Sequence, residues 1–124
     1  MTETLKILIG ETDHTDLYTR VLQREGYKVE IASTKTEVLN KYIKGNWYAA
    51  IIDLRMPNSL EAITELSNIP IVAISGDPSK ENLAIEHGAS YFLRRPFESI
   101  GEIQDSIVNA IANKIRNKKL KAIA

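Results

Sequence analysis

Four segments of this chain set reactive side chains directly after an apolar run. Glu11, Thr12 and Asp13 follow Leu8-Ile9-Gly10. Asp53 follows Ile51-Ile52, Ser75 follows Ala73-Ile74, and Arg95 follows Phe92-Leu93-Arg94. Carboxylates, a hydroxyl and a permanently charged guanidinium can together hold a phosphoryl group, provided that they meet in one crevice. A carboxylate such as Asp53 can attack phosphorus as a nucleophile. The transfer then needs chiefly positioning and charge neutralisation, usually from a divalent metal plus a cation. The two histidines offer no rival centre. His14 and His87 lie in helical contexts with no second ligand at metal spacing.

Whether these residues meet depends on the elements that carry them. Five short apolar runs alternate with five helical patterns. Leu5 to Ile9, Tyr27 to Ala32, Tyr48 to Leu54, Pro70 to Ile74 and Ser90 to Leu93 read as strands. Asp16 to Arg24, with Leu17, Val21 and Leu22 at helical spacing, reads as the first helix, stopped by Gly26. Thr36 to Lys44, Leu60 to Leu66 and Ser79 to His87 follow as helices, the last capped by Gly88. A final helix begins near Ser99 and carries Ile100, Ile103, Ile107, Val108, Ile111 and Ile115. Strict alternation with continuous apolar strands predicts an α/β fold, a parallel sheet with helices on both faces. Five such units in this length predict the flavodoxin-like strand order 2-1-3-4-5. Ligands of such sheets bind at the carboxyl ends of the strands, which are the positions of Glu11, Asp53, Ser75 and Arg95.

The bulk numbers narrow the function classes. A length of 124 residues fits a single domain over 1–124, and 44% hydrophobic with 26% charged residues is an ordinary globular balance. There is no cysteine, so disulfides and thiolate metal sites are excluded, in agreement with a reducing cytoplasm. No apolar run approaches the roughly 20 residues of a membrane helix. Lys114, Arg116, Lys118, Lys119 and Lys121 make the end of the chain, 114–124, basic. That end reads as a solvated helix terminus, where the helix dipole favours cations, or as a contact for an acidic partner or nucleic acid. Sequence-specific DNA binding would need a further helix-turn-helix, for which no residues remain.

Three segments resemble the receiver domains of bacterial two-component response regulators, the chemotaxis regulators among them. Ile51-Ile52-Asp53-Leu54-Arg55-Met56-Pro57 is similar to the phosphoacceptor strand and its D-x-x-M-P exit. Pro70-Ile71-Val72-Ala73-Ile74-Ser75-Gly76 is similar to the strand that ends in a switch Ser or Thr. Gly88-Ala89 through Phe92-Leu93-Arg94-Arg95-Pro96-Phe97 is similar to the G-A…K-P-F segment. The resemblance implies that Asp53 accepts phosphate from a histidine kinase or phosphotransfer protein. It implies that Ser75 contacts the phosphoryl group, that Arg95 holds the cationic position, and that Phe92 is the aromatic switch. Mg²⁺ would be held by Glu11, Asp13, Asp53 and the backbone carbonyl of Arg55. A cis bond before Pro96 would fit the pattern. The implied output is protein binding rather than enzymatic turnover, through the face of helix 4, strand 5 and helix 5, with a homodimer through the last two helices as one form of it.

The chain departs from the family's pattern around the site. Gly10-Glu11-Thr12 replaces the acidic pair after strand 1, and the stretch to Gly26 is about two residues short. Arg95 stands where the family has lysine, and a planar fork is not equivalent to a point charge. The loop after Pro57 is short and lacks M-D-G. A hard divalent ion loses charge compensation when a carboxylate is missing. Two readings therefore stand: a phosphorylated receiver with a weak metal site, or a pseudo-receiver in which Arg95 pairs permanently with Asp53. Duller roles also stand beside these: a strand-end cap for Asp53, a turn for Ser75, solvent contact for Arg95, core packing for Phe92, and helix-cap acids for Glu11 and Asp13.

Overall fold

The computed structural model describes residues 4–12 and 15–123. Five strands, β1 (Lys6–Gly10), β2 (Lys28–Ala32), β3 (Ala49–Asp53), β4 (Ile71–Ser75) and β5 (Tyr91–Arg94), form one sheet in the order β2-β1-β3-β4-β5. Every pairing is parallel, with Ile9 opposite Ile51 and Asp53 opposite Ile74. The helices are α1 (Thr15–Arg24), α2 (Lys35–Lys44), α3 (Ser59–Glu65), α4 (Glu81–His87) and α5 (Gly101–Ile123). This is the expected flavodoxin-like topology.

The two-residue period of the strands divides the core between the sheet's faces. Ile7, Ile9, Ala49, Ile51, Val72 and Ile74 meet Tyr18, Val21 and Leu22 of α1 and Ile103, Ile107 and Ala110 of α5. Leu8, Ala50, Ile52, Ile71 and Ala73 meet Val38 of α2, Ala62 and Ile63 of α3 and Ala84 of α4. Trp47 lies at the amino end of β3, far from the strand tips, and its Nε1 donates to the Lys41 carbonyl at 3.1 Å.

Three helices differ from the sequence reading in detail, each for a physical reason. The buried face of α1 is Tyr18, Val21 and Leu22, while Leu17 is turned outward. The fourth helix opens as a 3₁₀ turn over Pro78–Lys80, because Asp77 Oδ1 accepts from Ser79 N at 3.0 Å and Pro78 supplies a fixed φ at the first position. In α5, Ile103, Ile107 and Ala110 are buried, but Ile100, Val108 and Ile115 are exposed. Its 23 residues extend about 35 Å at 1.5 Å each, against about 17 Å for a five-residue strand. The far half of α5 overhangs the sheet, and Lys118, Lys119 and Lys121 are exposed there. No helix among the described residues is long and apolar enough to cross a membrane.

The end of α4 tolerates little change. Gly88 has φ 119°, and a Cβ on it would stand 2.8 Å from the Ser67 Cβ. Gly88→Ala is expected to destabilise the fold by about 1–3 kcal/mol through left-handed strain, with the contact to Ser67 adding to it. A urea unfolding midpoint equal to that of the unmodified protein would refute this.

Candidate functional site

The parallel register brings the strand tips to one edge. Leu54 N bonds the Ile74 carbonyl at 2.9 Å, Arg95 N bonds the Ser75 carbonyl at 2.9 Å, and Glu11 N bonds the Ala32 carbonyl at 2.9 Å. Asp53 is the last residue of β3 and is buried. Beyond it the chain turns back at once. Met56 N donates to the Asp53 carbonyl at 3.0 Å, Met56 is buried, and Asn58 adopts the left-handed region at φ 58° ahead of α3. This short turn folds Arg55 back over the carboxylate that precedes it.

Asp53 is held by two arginines. Its Oδ1 accepts from Arg55 N at 2.8 Å and from Arg55 Nε at 3.3 Å. Its Oδ2 accepts from Arg55 Nη2 at 3.0 Å and from Arg95 Nη2. The same Arg55 Nη2 lies 3.7 Å from Glu11 Oε1, and Glu11 is as deeply buried as Asp53. Two buried carboxylates thus face two guanidiniums. A carboxylate removed from water must be paired in this way, because an isolated buried charge costs several kcal/mol. The Arg55 side chain remains 44% exposed and that of Arg95 18%, so Arg55 is the outer cover and Arg95 the inner partner.

Tyr18 is a member of this cluster that the sequence analysis did not single out. Its phenol lies within electrostatic range of Arg95, Glu11 and Asp53. Burial is the main cause that pushes the phenol up to about 12; Arg95 works against it, and Glu11 and Asp53 add to it. Spacing gave a usable signal. Tyr18 stands three and four residues before the buried Val21 and Leu22, which places all three on one helical face.

The other expected residues are placed as follows. Ser75 is buried at the adjoining strand tip, and its Oγ accepts from Asp77 N at 3.0 Å, so the hydroxyl also serves the turn. Phe92 is half-buried and packs on the core side formed by α2, α3 and α4. Glu11 lies ahead of α1 and is buried in the cluster. Asp13 and His14 lie outside the described residues. His87 Nδ1 lies 3.0 Å from Thr64 Oγ1 and ties α4 to α3. The bond between Arg95 and Pro96 is cis.

A divalent metal of the kind the resemblance implies takes six or more oxygens. Among the described residues no three His, Cys, Asp or Glu side chains group to hold one. The space between Glu11 and Asp53 is spanned by the Arg55 guanidinium, so the described residues in this arrangement do not fit such an ion.

No protein-family model matches the chain. It is 31% identical over 101 residues to the transcriptional regulatory protein CpxR homolog of Haemophilus influenzae, covering 74% of this chain and 44% of that one. It is 31% identical over 103 residues to the CAI-1 autoinducer sensor kinase/phosphatase CqsS of Vibrio cholerae, covering 74% of this chain and 14% of that one. The chain therefore spans less than half the length of either relative. A response regulator receiver domain protein from Clostridium thermocellum superposes with a TM-score of 0.71 at 28% identity, over 94% of this chain and 98% of the other. The chain is a response-regulator receiver domain. As a receiver of two-component signalling it shares the fold of that solved domain over nearly its whole length.

Two outcomes follow for the receiver's site. Removing the inner cation leaves Asp53 short of charge in a buried setting, so Arg95→Ala is expected to destabilise the domain by about 3 kcal/mol. Chemical denaturation measures this, and a loss below about 1 kcal/mol would mean that the pair is worth no more than a surface one. In alkaline titration followed by tyrosinate absorbance, one of the five tyrosines is expected to ionise late, near 12. Because the folded state keeps that phenol neutral, its contribution to stability is full below about 10 and declines as pH rises toward 12. Tyr18→Phe should remove the late step.

Proposed function

We propose that this receiver works as a protein-interaction module whose acidic site is closed by its own arginines, a phosphorylation-independent pseudo-receiver. The observation that carries this reading is the engagement of both Asp53 oxygens by Arg55 and Arg95. Phosphoryl transfer asks for a free carboxylate oxygen in line with a charge-neutralised phosphorus. Here the carboxylate already spends its lone pairs on fixed donors, and the chain supplies the neutralising cations itself. Signalling then rests on the surface that the domain presents to other proteins, with no catalytic turnover. On the face of α4, β5 and α5, Leu83 and Ile85 of α4 are exposed apolar side chains suited to a partner. A second copy on the same face would make the homodimer.

A second reading keeps Asp53 as the acceptor of phosphate from a histidine kinase or phosphotransfer protein. One observation favours it. Arg95 Nε is buried with no hydrogen-bond partner among the described residues, a donor that a phosphoryl oxygen would satisfy. The exposed Arg55 would have to swing outward first to open the crevice. Only then could Glu11, Asp53 and the Arg55 carbonyl offer oxygens to Mg²⁺.

The deciding measurement is an amide NMR titration with Mg²⁺ and beryllofluoride, a phosphoryl mimic, observed at Leu54, Ser75 and Arg95. The pseudo-receiver reading expects no saturable shift at these amides, and no phosphorylated species by mass spectrometry after acetyl phosphate. Saturable shifts that disappear in Asp53→Asn would establish the second reading in its place. Trp47 fluorescence is unsuited to this test, since the indole packs at the opposite end of the sheet.

A further inference from the structure

We propose that the Arg55 side chain is the resident cation of the crevice: it stands between Glu11 and Asp53, where a divalent ion would have to sit, and this one guanidinium decides whether the two carboxylates bind metal. The inference deepens the arginine-closed reading and rests on it.

The contacts of Arg55 fit this part. Its Nε faces Asp53 Oδ1 at 3.3 Å and its Nη2 faces Oδ2 at 3.0 Å, so the planar fork lies along both oxygens. The same Nη2 is 3.7 Å from Glu11 Oε1. One group therefore bridges two buried carboxylates carried by different strand tips, as an ion shared between them would. Charge makes the two occupants exclusive. Glu11 and Asp53 are balanced by Arg55 and Arg95. A divalent ion added to that set would leave two positive charges uncompensated at short range, where the effective dielectric is low. The ion can enter only as Arg55 leaves.

Position makes Arg55 both a strong competitor and a removable one. It follows Asp53 by two residues, on a tight turn in which Met56 N donates to the Asp53 carbonyl at 3.0 Å. A group tethered so closely acts at a high effective concentration, which a dissolved ion must overcome. Its side chain is also the more exposed of the two arginines, so it can leave toward solvent without opening the core. The backbone N–H of Arg55 donates to Asp53 Oδ1 at 2.8 Å, and a side-chain substitution does not touch that bond. Replacing Arg55 therefore subtracts the cation and keeps the turn.

Arg55→Ala in the whole chain tests this, with Mn²⁺ alone as the probe. Electron paramagnetic resonance counts the free ion, and paramagnetic broadening of the Glu11 and Leu54 amide signals reads its place. A unit charge about 5 Å from a divalent ion changes its affinity more than about tenfold even at the dielectric of water. Arg55→Ala is accordingly expected to bind Mn²⁺ at least about tenfold more tightly than the unmodified domain, with broadening centred on those amides. The gain is expected to vanish when Asp53→Asn is added. A smaller gain, or a gain that survives Asp53→Asn, overturns the inference. Should the alanine variant not fold, Arg55→Gln, which keeps much of the stem and none of the charge, takes its place. The unmodified domain gives a check that needs no substitution. Saturable broadening at Glu11 and Leu54 below about 1 mM Mn²⁺, the scale on which the tethered group itself competes, overturns the inference equally. The beryllofluoride titration keeps failure of the parent reading apart. No shift there and no gain of Mn²⁺ in Arg55→Ala means that the site is closed by something other than Arg55. Saturable shifts there together with the Mn²⁺ gain end the permanent closure and leave Arg55 as the cation that metal displaces.

Discussion

The site is governed by the cost of keeping a carboxylate out of water. Asp53 ends a strand with helices against both of its faces, and Glu11 is buried beside it. Neither can remain ionised there without nearby cations, since the effective dielectric is well below that of water. The guanidiniums of Arg55 and Arg95 supply the charge. Each comes from a chain segment that the sheet has already placed: Arg55 from the turn leaving β3, Arg95 from the end of β5. The fold brings the charges together, and the charges in turn hold the strand tips together.

The core and the crevice answer to different constraints. The core needs apolar volume on both sides of the sheet, and the two clusters provide it without reference to what lies at the strand tips. Substitutions at the crevice are therefore compatible with an intact receiver fold. The departures from the receiver pattern that the sequence shows at the crevice accompany a sheet of the expected strand order. They alter which cation faces Asp53. In a receiver that waits for a metal, that cation arrives from solution. In this chain Arg55 spans the space between Glu11 and Asp53.

The candidate site was legible where position along a strand decides the outcome. Asp53, Ser75 and Arg95 are each set near a strand's carboxyl end by hydrophobic patterning, and parallel pairing carries them to one edge. The part taken by Arg55 was less legible. The resemblance assigned it a backbone carbonyl, whereas its side chain folds back because the turn after Asp53 is tight and Met56 anchors it in the core. Tyr18 was passed over because a tyrosine in an amphipathic helix reads as packing until the charges around it are known. In α1, Leu17 was expected on the buried face, yet the helix turns Tyr18 inward instead. The two choices differ by one residue, and spacing alone tolerates both.

Alternating strand and helix patterns, the glycines and prolines that punctuate them, and the three motifs were enough for the amino-acid order to determine the fold, the topology and the edge at which chemistry belongs. These follow from local periodicity and from the narrow set of ways in which parallel sheets are wound. Tertiary structure alone decided the pairing of charges at that edge: Arg55 with both carboxylates and Arg95 with Asp53. Long side chains from distant segments compete for the same buried oxygens. Which of them arrives is set by distances and desolvation in three dimensions, quantities that no linear spacing encodes.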